Sequence, residues 1–142
     1  DGLIVDAIGR ALDGKQPKWL RYGGAAEYAK YCYGTPNGVY VVVEDVISAV
    51  TVATVFPDVT GFALLGTSLT DAHKECLSDS ASYVMVALDP DALRKTLVMR
   101  KEIEAWCDIP SRAIRLRDDI KYQDAEDMDF IGRWIDVAEK SH

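Results

Sequence analysis

The sequence predicts an α/β fold: a mainly parallel four-stranded sheet flanked by helices, with a short N-terminal lead-in. Three observations predict it. From Val39 onward, strand-length apolar runs alternate with segments of helical periodicity. The runs are apolar on successive positions rather than on alternate ones, as strands buried on both faces are. Residues 1–38 read differently: they are Gly-rich, basic and aromatic, with turns at Gly23-Gly24 and Pro36-Asn37-Gly38. They form the lead-in, leaving 39–142 as the sheet domain.

The first run, Val39-Tyr40-Val41-Val42-Val43, is β-branched and reads as a central strand, followed by Val46, Ile47, Val50 and Ala53 at helical spacing. Gly61–Leu65 is a second strand, stopped by Gly66-Thr67. Ser68 or Thr70 would then cap a helix to about Leu77, with Asp71 favourable in its first turn. Tyr83–Leu88 is the third strand. Leu93, Leu97, Met99, Ile103 and Trp106 are expected on the inner side of the helix after it. Arg112–Leu116 is the fourth strand, and Phe130, Ile131, Trp134, Ile135 and Ala138 form the apolar stripe of a last helix. Right-handed crossovers would gather the strand C-termini on one edge, where ligands of such sheets bind.

Length and composition bound the function. The chain has 142 residues, enough for one α/β domain, and 49% of them are hydrophobic, enough for a core. No run approaches the roughly 20 apolar residues of a membrane span, so no membrane partner is expected. Nothing reads as a secretory signal, and the chain opens on Asp1-Gly2 without an initiator Met, as a processed product or excised fragment does. Cys32, Cys76 and Cys107 form no Cys-x-x-Cys pair, so no zinc ribbon is expected within the segment and buried free thiols in a reducing cytosol are expected. The net charge of −7 argues against coating nucleic acid by bulk electrostatics. Its distribution is uneven: residues 94–117 carry seven Lys/Arg against three acids, and 118–129 six acids against one Lys.

The chemistry lies in the acids. Glu44 follows the first buried strand, and Asp89-Pro90-Asp91 follows the third. Alone, Asp89 and Asp91 read as caps of the next helix. With a Glu at the end of a second buried strand the balance reverses: three carboxylates meeting at one edge would raise one another's pKa. Hard oxygen ligands on rigid strand ends suit Mg²⁺ or Mn²⁺, and two such ions would support phosphoryl transfer. Asp45 reads either as a fourth carboxylate of the cluster or as the cap of the following helix. No Ser or Cys has His and Asp partners at a spacing that suggests nucleophilic catalysis. His73 has no second His with which to bind metal, and a surface helix position is expected for it.

In order, "VVVEDVISAV", "ALLGTSLTDAHKECL" and "SYVMVALDPDALRK" resemble a Toprim domain, the module shared by bacterial-type primases, topoisomerases and some nucleases. "LGTSLTDAH", Leu65 to His73, is similar to the primase form of the middle block. "GRALDGKQPKWL" and "EYAKYCYG" resemble the primase stretch before the module, and "DDIKYQDAEDM" resembles, loosely, an acidic primase region after it. The likeness runs from about Gly2 to Ile135. In this chain Asp45 stands where the family usually has Gly, Ser48 where many members have Asp, and Leu93-Arg94 where a small Ala-Gly pair is usual. Such changes suggest a divergent lineage such as a phage.

The resemblance implies a DNA primase catalytic core that makes short RNA primers on single-stranded DNA. Glu44, Asp89 and Asp91 would hold the metal, with Asp45 as a further ligand, and Arg10, Lys18 and Lys30 would line the nucleotide or template path. It implies nucleoside triphosphates as substrates, cytoplasmic location (the host's, for a phage), and a helicase or zinc-ribbon domain outside the segment. Trp19, Tyr22, Tyr28 and Tyr31 would either stack bases or form a local core, the second being favoured. Arg94 and Lys101 read equally as phosphate contacts or as solvent-facing surface. Two rivals use the same residues: a Toprim nuclease, and a non-catalytic nucleic-acid-binding module in which the altered positions mark decay.

Overall fold

The computed structural model describes residues 31–34, 38–66 and 68–141, and the backbone of 7–10 and 19–22. The chain divides into two compact units, 1–30 and 31–142. In the first, strand β1 (Ala7–Arg10) pairs antiparallel with β2 (Trp19–Tyr22), Arg10 opposite Trp19.

The second unit is a five-stranded sheet. Its elements in chain order are β3 (Cys32–Tyr33), β4 (Val39–Val43), helix α1 (Val46–Val55), β5 (Thr60–Ala63), α2 (Asp71–Ser80), β6 (Tyr83–Val86), α3 (Leu93–Cys107), β7 (Ser111–Ala113) and α4 (Ala125–Lys140). The spatial order is β3-β5-β4-β6-β7. The four expected strands are parallel, and the fifth, β3, adds antiparallel to β5 at one edge. Two residues are too few for a hydrophobic period to show, so β3 was invisible in the sequence.

Every residue of β4 is buried, as its unbroken apolar run requires. Val39, Val41 and Val43 pack with Ala49 and Val52 of α1 and with Ile131, Ile135 and Ala138 of α4. On the opposite face Tyr40 and Phe62 meet across 6.1 Å, and Phe62 meets His73 of α2 at 5.7 Å. Helices therefore cover both faces, the doubly wound arrangement of parallel sheets. Gly61 is what lets α1 lie so close to β5: a Cβ there would sit 2.1 Å from the Ala49 carbonyl oxygen.

The inner face of α3 differs from expectation. Thr96, Met99 and Ile103 are buried, while Leu97 is 49% and Trp106 70% exposed. The helix carries two apolar stripes, and the one with Thr96 faces inward, its hydroxyl satisfied locally by donating to the Ala92 carbonyl at 3.0 Å. Trp106 lies instead under the Lys74 ammonium, 4.4 Å from the ring centre. No helix of the described residues is long and apolar enough to cross a membrane.

Candidate active site

β4 and β6 are hydrogen-bonded neighbours, with β5 on the far side of β4 and β7 on the far side of β6. The connections leaving β4 and β6 thus diverge, the position at which parallel α/β sheets bind ligands. Glu44 follows β4 directly, and Asp89 follows Leu88 at the end of the segment that continues β6. The Leu65 amide donates to the Glu44 carbonyl at 3.0 Å and the Leu64 amide to Val43 at 2.9 Å, fixing the backbone that carries the acid. Leu65 does this in the left-handed region at φ 59°, a conformation that costs a non-glycine residue on the order of 1 kcal/mol.

The Glu44 and Asp89 carboxyl groups are close enough to influence each other's ionisation. Partial burial, then the contact with Asp89 and the charges of Asp89 and Asp91, push Glu44 up to about 7, with Lys95 opposing. Burial also raises Asp89, against the contact with Glu44; Asp119 and Asp45 add to the rise and Lys121 opposes it. Both acids are thus held more readily protonated than a free carboxylate. Neither Asp89 nor Asp91 caps a helix with its side chain, since the short 3-10 turn Pro90–Ala92 and α3 both start without one. Asp45 does cap: the Ser48 amide donates to its Oδ1 at 2.8 Å.

Among the described residues no three Asp, Glu, His or Cys side chains converge closely enough to form a ready-made metal site. The donor set nevertheless fits a hard divalent cation. Two neighbouring carboxyl groups with raised pKa values can give up a proton in exchange for a cation. Asp91 stands farther out, exposed, and acts on Glu44 through its charge.

Lys121 and Asp119 are additions to the site, paired at 3.5 Å and mostly shielded from solvent. The one lysine in an acid-rich segment was the available signal, but the segment's path past Asp89 was not. Arg10 lies in β1, placed by its backbone alone, while Lys18, Lys30 and Thr67 lie outside the described residues. Arg94 and Lys101 are exposed on α3. Tyr31 is 6% exposed and stacks its ring against Phe62 and His73, so it belongs to the core. His73 is not a surface residue: it is 2% exposed, and its Nδ1 accepts from the Thr70 amide at 2.9 Å in a capping box that starts α2.

No protein-family model and no curated protein matches the chain. Solved structures do. The chain is similar to the zinc-binding and RNA polymerase domains of the Aquifex aeolicus primase, with a TM-score of 0.69 and 19% identity over 94% of this chain and 37% of that one. It is similar to a DnaG primase catalytic domain bound to single-stranded DNA, with a TM-score of 0.58 and 19% identity over 94% and 47%. A DNA primase domain from Pseudomonas aeruginosa gives a TM-score of 0.55 and 15% identity over 84% and 42%. The chain thus spans less than half the length of each of these structures. At such identities the likeness is one of fold, and the fold is that of bacterial primase domains.

Proposed function

We propose that this chain is the Toprim-like core, with its lead-in, of a bacterial-type DNA primase of phage lineage. It would join nucleoside triphosphates into short RNA primers on single-stranded DNA. The observation that supports this most directly is that Glu44 and Asp89 follow two neighbouring parallel strands of a sheet folded like primase domains. Mg²⁺ or Mn²⁺, when bound, would neutralise the triphosphate oxygens and favour ionisation of the primer 3′-hydroxyl. Glu44, Asp89 and Asp91 would hold it, and Glu44 gives up its proton near neutral pH in doing so.

Lys95 and Lys121 supply positive charge beside the pair, keeping the acids from repelling an incoming polyanion outright. Arg10, Lys18 and Lys30 would hold the template or triphosphate, and Asp45 would order the start of α1 beside Glu44. A zinc-ribbon or helicase domain would lie in the rest of a longer protein.

The test is primer synthesis by the protein that carries this chain, given single-stranded DNA, nucleoside triphosphates and Mg²⁺ or Mn²⁺. Asp89→Ala should abolish it, and synthesis retained in that variant would overturn the reading. Metal-dependent shortening of DNA strands without triphosphates would instead assign the same acids to hydrolysis.

A further inference from the structure

Cys32 and Cys76 are 44 positions apart in sequence, yet β3 and α2 bring their Sγ atoms to 3.8 Å. Cys32 is partly exposed and Cys76 buried. The third thiol, Cys107, is engaged elsewhere, 3.5 Å from the Lys74 carbonyl oxygen. We propose that Cys32 and Cys76 are a redox-active dithiol, which a peroxide closes to a disulfide and a thiol reductant reopens.

A disulfide needs the sulfurs at about 2.0 Å, so one must move. β3 can provide the movement, because it is two residues long and sits at the sheet edge with β5 as its strand neighbour. Cys76 is the fixed partner, since its helix is anchored at the same turn: Ser80 Oγ donates to the Cys76 carbonyl at 2.7 Å and accepts from the Tyr40 hydroxyl at 2.8 Å. The two thiols also differ in acidity. The contact with Cys76 holds Cys32 below the ordinary thiol range, against burial and with help from Tyr40. The same contact, together with burial, pushes Cys76 up. Cys32 is the accessible thiol of the two, so it is the one that meets peroxide first.

In the first step the Cys32 thiolate attacks one oxygen of hydrogen peroxide. The O–O bond breaks, the departing hydroxide takes up a proton to become water, and Cys32 becomes a sulfenic acid. The Cys76 sulfur then attacks the Cys32 sulfur, forming the S–S bond and breaking the S–O bond. The departing hydroxide leaves as water with the Cys76 proton. Two thiols and one peroxide give one disulfide and two waters, and two electrons pass from sulfur to oxygen. The closed loop contains β4, Glu44, α1 and β5, so the bond restricts the unfolded chain over the segment that carries half of the acid pair.

The experiment treats the folded, reduced chain with hydrogen peroxide, alkylates the remaining thiols and maps the peptides by mass spectrometry. Expected are a Cys32–Cys76 cross-linked peptide, alkylation at Cys107 alone, and a thermal midpoint raised by about 5–10 °C and restored by dithiothreitol. Cys32→Ala should lose both the cross-link and the shift, and Cys107→Ser should keep both. Stable over-oxidation of Cys32 without a cross-link, a cross-link through Cys107, or three alkylatable thiols after treatment would each overturn the proposal. The mapping uses the unsubstituted chain and so does not depend on how the variants fold, nor on the primase reading.

Discussion

Glu44, which follows buried strand β4, and Asp127, in the first turn of α4, are both acids in a chain whose net charge is −7, and their surroundings differ completely. Asp127 is 5% exposed and fully engaged: the Arg117 amide donates to both its oxygens at 3.0 and 2.9 Å, and the Asp118 amide to one of them at 3.1 Å. It locks the turn after β7 onto the start of α4. Asp124 caps that helix through the Glu126 and Asp127 amides, and Asp45 caps α1. Glu44 instead faces Asp89, another acid; burial raises the pKa of both, and for Glu44 the Asp89 neighbour raises it further. Acids that meet backbone amides hold the fold, whereas acids that meet each other store repulsion, which only a proton or a cation relieves. The comparison separates carboxylates that hold the fold from carboxylates set against each other.

The largest effect that would break this separation is on activity. Asp89→Asn should lower primer synthesis by about three orders of magnitude or more while leaving the metal-free thermal midpoint unchanged or higher. A matching fall in midpoint would place Asp89 with the structural group. Asp127→Ala should do the reverse, losing about 3 kcal/mol of stability through the stranded amides of Arg117 and Asp118. Urea unfolding reads this as a lower midpoint at constant slope, and a loss under about 1 kcal/mol would dissolve the contrast.

The pH dependence sharpens it further. Because the folded state raises Glu44 to about 7 from an unfolded value of 4.5, its contribution to stability is full below 4.5 and is lost as pH rises through 7. Asp89 is shifted in the same direction. Without metal, therefore, the midpoint should fall between pH 5 and 8, and Glu44→Gln should flatten the fall. With Mn²⁺ the trend inverts: affinity should rise by about tenfold per pH unit below 7, as one proton is displaced, which thermal shift against Mn²⁺ concentration measures. The smallest effect belongs to Asp45, which caps α1 and also faces Asp89. Asp45→Ala should cost about 1 kcal/mol, and Asp45→Ser should restore it. If Asp45→Ser also loses the Mn²⁺ shift, Asp45 belongs to the metal-holding group as well.

Where sequence patterns were unambiguous, they carried through to structure. The all-apolar Val39–Val43 run became the fully buried central strand, and Thr70 with Asp71 began α2. The misses have physical reasons. On α3, Leu93 and Leu97 formed as good a stripe as Met99 and Ile103, and only docking against the sheet selected between them. His73 is buried because Tyr31 and Phe62, from two distant segments, close around it. No local period carries that information. Strands also ended earlier than expected, as Leu65 turned left-handed to reach Glu44 and Ala87 and Leu88 stayed buried beyond the ladder.

The sequence by itself determined the α/β class, the parallel strands and the positions of Glu44 and Asp89 at strand ends, because burial on both faces and capping chemistry are local and leave a readable pattern. Only the tertiary structure decided that β4 and β6 are neighbours. Strand order is set by which helix covers which face, a choice made by packing across the whole sheet. Had β5 lain between them, the same two acids would stand a strand apart. The order β5-β4-β6 is what makes two ordinary strand-end carboxylates into one site.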